Sequence, residues 1–72
     1  MIEVFKTSIQ NLHQAKAVRQ LLLDVDPLLE INFDLDDCDR ILRIKNIEKA
    51  VDISVVFNVL HGKGIYVEVL AD

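Results

Sequence analysis

The chain has 72 residues and a mass of 8.2 kDa, is 51% hydrophobic and 28% charged, and sets 8 Lys and Arg against 12 Asp and Glu for a formal charge of −4. A chain of this size holds one domain, expected over residues 1–72, and buries only about 60% of its unfolded surface, which excludes a two-domain enzyme and a deep interior cleft. Phosphate backbones repel an acidic chain whose aromatic and basic residues do not cluster, so nucleic acid is not an expected partner. No apolar run approaches the roughly 18 residues of a membrane span, and Met1-Ile2-Glu3 puts no basic region ahead of an apolar one. Neither a membrane nor export is expected. A lone Cys38 suits a reducing compartment, so the expected location is cytoplasmic.

Ile2 to Ile9 alternate, with Phe5, Thr7 and Ile9 on one face, and predict a half-buried first strand. From Asn11 to Val25 the period changes to that of a helix, with Asn11 suited to the N-cap and Val18, Leu21, Leu22 and Val25 on the apolar face. Asp26-Pro27 ends it, since proline cannot extend the hydrogen-bond ladder and the residue before it avoids helical geometry. Leu29, Ile31, Phe33 and Leu35 then alternate with Glu30, Asn32, Asp34 and Asp36, a strand with one wet, acidic face. A turn at Asp36-Asp37-Cys38-Asp39 leads to extended structure over Arg40 to Lys45, and the two strands are expected to pair as a hairpin.

Ile47 to His61 is rich in β-branched residues, which argues for a strand. Its length without a turn signal, Asn46 as a candidate N-cap and the closing His61-Gly62-Lys63-Gly64 argue for a helix, and that is the reading taken. Ile65 to Leu70 closes the chain as a short strand. The order βαββαβ predicts an α+β, ferredoxin-like sandwich: two helices on one face of a four-stranded antiparallel sheet. Such a fold hosts many functions and assigns none.

Between the first strand and first helix, Ile9-Gln10-Asn11-Leu12-His13-Gln14 resembles the loop of heavy-metal-associated domains, found in copper chaperones and cation-transporting ATPases. The likeness extends through Phe5-Lys6-Thr7, the Val18, Leu21, Leu22 and Val25 spacing, Ile31 to Leu35 and Gly64-Ile65-Tyr66. The family carries M-x-C-x-x-C in this loop; Ile9 stands at the methionine, and Asn11 and Gln14 stand at the two cysteines. The resemblance therefore implies a degenerate site, because neutral amides do not replace the thiolates that hold a soft ion such as Cu(I). His13 with two amides falls short of the three or four ligands of a zinc site and reads as a solvent-facing side chain. Neither a metal nor any other cofactor is expected.

The remaining chemistry-bearing residues form no catalytic constellation. His61 reads as decoration of a helix C-terminus, and Ser8 and Ser54 have no base beside them. Asp34, Asp36, Asp37 and Asp39 lack the glycine and terminal glutamate of a calcium loop, and Cys38 reads as an incidental thiol. The chain is thus read as a non-enzymatic domain that contacts another protein or a second copy of itself. If Ile53, Val56, Phe57 and Leu60 pack on the sheet, Val51, Val55 and Val59 form a second apolar stripe, the expected interaction surface. A rotated or more deeply packed helix would bury that stripe instead. Competing readings are residual heavy-metal carriage, by His13 or by Cys38 of a second chain, and a small-molecule regulatory domain.

Overall fold

The computed structural model describes residues 1–70, so the last two positions of the expected 1–72 domain lie outside the described residues. Strand β1 (Ile2–Thr7), helix α1 (Leu12–Val25), strands β2 (Glu30–Asp34) and β3 (Ile41–Lys45), helix α2 (Ile53–Gly62) and strand β4 (Val67–Val69) follow in that order. The strands form one antiparallel sheet ordered β2-β3-β1-β4. With β3 inserted between β1 and β2, this is the split βαβ arrangement of a ferredoxin-like α+β fold.

Register decides which side chains meet. Phe5 stands opposite Leu42 on one side and Val69 on the other, and Leu42 stands opposite Phe33. Because directly opposed residues share a face, this row points one way, with Thr7 and Val67 next to it. Ala15, Val18 and Leu22 of α1 and Val56 and Leu60 of α2 join Phe5, Leu42, Ile44 and Val67 in one buried cluster, so both helices cover the same face. Phe57 meets Phe5 edge to face, with ring centroids 6.5 Å apart. The opposite face carries Asn32 and Arg43 and the ion pair between Lys45 and Glu30 at 3.8 Å. Ile41 is buried there, outside the core cluster.

Thr7 ends β1 with a polar group inside an apolar row. Its hydroxyl donates to the Arg40 carbonyl at 2.6 Å and accepts from the Ile9 N–H at 3.2 Å, which explains how a buried hydroxyl is tolerated. Arg40 has a left-handed φ of 48°, the point at which the long β2–β3 connection turns into β3. At the same end of the sheet, on the β4 side, Ser8 holds Tyr66, through Ser8 N–H to the Tyr66 carbonyl and Tyr66 N–H to the Ser8 Oγ.

The structure corrects the expected elements at several points. The second helix begins at Ile53, capped by Asp52, rather than at Ile47 with Asn46 as its cap. Asn46 does accept the N–H groups of Glu48 and Lys49, the bonds a cap would make, but they close an Asx turn that leads away from β3. Val51 therefore precedes the helix and is buried in the core, while Val55 and Val59 are half-buried and pack against it. The exposed stripe expected from these three valines is absent as a continuous surface. On α1 the apolar face is centred on Ala15, Val18 and Leu22, and Leu21 and Val25 turn outward to solvent.

Candidate functional site

The loop at residues 9–14 is built around a helix start. Ile9 is fully buried and pins the chain to the core, while Asn11, Leu12 and His13 are exposed and Gln14 is half-buried. Asn11 is extended, with φ −157° and ψ 171°, and its Oδ1 accepts the Gln14 N–H at 2.9 Å. The Gln14 Oε1 reaches back to accept the Gln10 N–H at 2.7 Å. This is a variant of the capping box in which the returning amide satisfies the residue before the cap rather than the cap itself. Both side-chain oxygens of the amides at 11 and 14 are thus occupied by backbone N–H groups. Arg40 closes over the loop, its guanidinium donating to the Gln10 carbonyl at 3.3 Å.

His13 lies beside Gln14, Ala17, Lys63 and Ile65 in a shallow depression between the start of α1 and the end of α2. A lysine beside the imidazole is a poor neighbour for a cation. Among the described residues, the ligating atoms gathered within 4.8 Å of one another belong to Asp37, Cys38 and Asp39, on the β2–β3 connection. That turn is already bonded internally: Asp37 Oδ1 accepts the Asp39 N–H at 2.8 Å, and Asp39 pairs with Lys6 at 3.6 Å. His61 sits in the last turn of α2 with its ring 5.7 Å from that of Phe57; the helix itself carries no carboxylate, and its N-cap Asp52 lies at the opposite end.

A feature that sequence reasoning missed lies at the other end of the helices. A cleft of about 280 Å³ opens between the end of α1 and the connection into α2, walled by Leu22, Val25, Leu28, Leu29, Val51 and Val55. Its rim is apolar and wet at once, with Val25 58% and Leu28 57% exposed. Ile47, between the cleft residues Asn46 and Glu48, is 68% exposed. The floor is polar and internally hydrogen-bonded. Asn46, only 3% exposed, donates from Nδ2 to Asp26 Oδ2 at 3.2 Å while its Oδ1 holds the following turn, and Asp26 Oδ1 accepts the Leu28 N–H at 3.0 Å. Asp26, Glu48 and Asp52 line the cleft against one basic residue, Lys49. The sequence signal for it was the apolar pair Leu28-Leu29 directly after the helix-stopping Asp26-Pro27, where a connection is ordinarily polar.

No helix among the described residues is long and apolar enough to cross a membrane. Comparison with models of known protein families and with curated proteins finds no match for this chain.

Proposed function

We propose that this chain is a non-enzymatic interaction module, similar to heavy-metal-associated domains in layout, whose ion site is degenerate. The observation that carries the reading is the apolar-rimmed cleft: Val25 and Leu28 sit more than half exposed over a wall that includes Val51 and Val55, two of the three valines expected to make contact. Apolar surface gathered around a concave site is the usual mark of a contact region. Loss of the ion is supported by the amides at 11 and 14, whose oxygens cap α1 and are hard, neutral donors in any case. Residual heavy-metal binding at Asp37, Cys38 and Asp39 is the weaker reading, since one soft thiol between two hard carboxylates suits no single class of ion well.

Native mass spectrometry during titration with Cu(I) and Zn²⁺ tests the metal part: the expected result is no stoichiometric complex in the presence of a competing chelator, and a chelator-resistant one-to-one complex overturns it. A photo-crosslinker attached through Leu28→Cys in a Cys38→Ser background tests the contact part. It is expected to yield discrete protein adducts that the same probe attached through Asp36→Cys does not. Equal labelling from the two positions removes the cleft from the proposal.

A further inference from the structure

We infer that the cleft at the α1–α2 end receives a segment of a partner protein that carries an apolar anchor flanked by Lys or Arg. The inference rests on the interaction-module reading and specifies its partner by charge. Two observations point to a cationic flank. The cleft residues Asp26, Glu48 and Asp52 outnumber Lys49, and among the described residues none of these four has an ion-pair partner; Asp26 charges the floor while bonded to Asn46 and the Leu28 N–H, Asp52 caps α2, and Glu48 stands exposed at the rim. The last turn of α1 contains no basic residue, and Asp24 and Asp26 lie at its end. The carbonyl end of a helix already carries partial negative charge, so acidic groups there raise a potential that a cation relieves.

The other occupants fit less well. A second copy joined through this surface by two-fold symmetry would set the same acidic rim against itself, on chains that each carry a formal −4. A free small molecule fits less well, since an open site of about 280 Å³, at the lower edge of the range common for such ligands, encloses little of its surface. An anchor side chain or two from a longer segment fits that volume, with Val25 and Leu28 closing over it and the charged rim reading its flanks. The Asp26–Asn46 bond keeps the floor in place before any partner arrives, which limits the ordering cost of association.

The test uses the intact chain and a synthetic peptide probe with leucines at i, i+3, i+4 and i+7 and lysines elsewhere, titrated by NMR. The expected result is shift changes centred on residues 22–29 and 46–55. Val25→Ser with Leu28→Ser should weaken binding at least tenfold, and both sites are exposed enough to leave the fold intact. Asp52→Asn, which keeps a capping oxygen, with Glu48→Gln should weaken it several-fold and flatten its salt dependence. The same charge removed elsewhere, by Asp36→Asn with Asp37→Asn, should change affinity less than twofold. The inference is overturned if the probe does not bind, if a peptide with glutamate in place of lysine binds equally well, or if the remote pair of substitutions weakens binding as much as the rim pair. A dimer in sedimentation that disperses in the Val25→Ser, Leu28→Ser variant also overturns it. In that case a second copy is the occupant and the interaction-module reading survives.

Discussion

Asn11 and Gln14 illustrate how one pair of side chains is open to two descriptions. Under the proposed resemblance they would stand where thiols were lost; as amides they satisfy the Gln14 and Gln10 N–H groups at the open end of α1. Removing both, by Asn11→Ala with Gln14→Ala, is expected to cost about 1–2 kcal/mol in urea denaturation, the range for losing a cap. Asn11→Cys with Gln14→Cys should then show a trade: a comparable loss of stability without metal, and new Cu(I) binding in spectroscopic titration. A folded double variant that takes up no Cu(I) counts against the resemblance. Tyr66 offers an independent residue-level check, as the chain's one tyrosine. Its hydroxyl donates to the Glu68 carboxylate, and that bond, aided by lesser desolvation and charge effects, raises its pKa above 10.0. An ultraviolet absorbance titration should place its midpoint above 10.0, and Glu68→Ala should return it toward that value. Since the folded-state pKa is the raised one, the bond's contribution to stability is present below 10.0 and is lost as pH climbs through the folded value.

At the scale of elements, α2 is a helix that its own sequence barely favours. Ile53, Val55, Val56 and Val59 each lose side-chain freedom in a helix, and ten residues are too few to sustain one in water. What holds it is burial of Val56 and Leu60 against the sheet, the edge contact of Phe57 with Phe5, and the Asp52 cap. A peptide covering residues 50–64 is therefore expected to show no helical circular dichroism at room temperature. A helical spectrum would mean that tertiary contact is not what decides the element. The delayed start of α2 has a related cause. The carboxamide of Asn46 makes the same bonds in an Asx turn that it would make as a cap, so the residue marks a change of direction without specifying whether a helix or a further stretch of loop comes next.

Across the whole molecule, stability depends on one thin layer. For 72 residues, about 0.05–0.15 kcal/mol per residue gives a total of about 4–11 kcal/mol. Phe5 is fully buried, stands between Leu42 and Val69 across three strands, and meets Phe57 from the helix layer. Phe5→Ala is expected to cost about 3–5 kcal/mol, leaving a substantial unfolded fraction at room temperature by calorimetry and near-ultraviolet circular dichroism. An unchanged melting temperature would show that the layer collapses around the gap. Exposed apolar side chains such as Leu12 and Ile2 are scattered over the surface, and what sets Val25 and Leu28 apart is that they border a concave site.

The order of elements and the sheet's wet and dry faces were legible from the chain because they arise from local rules. Period-2 alternation over Phe5, Thr7 and Ile9 and over Ile31 and Phe33, the Asp26-Pro27 stop and the Asn11 cap each act within a few residues. The phase of an apolar helix is a different kind of quantity. With apolar residues at most positions of 53–60, several rotations bury similar area, and only contact with α1 and the sheet selects the one that takes Val56 and Leu60 inside and leaves Val55 and Val59 half-covered, while Val51 is buried ahead of the helix. The cleft was equally hidden. Its walls come from the end of α1, the turn after it and the approach to α2, segments separated by some twenty residues, and concavity is a property of how such segments meet rather than of any one of them.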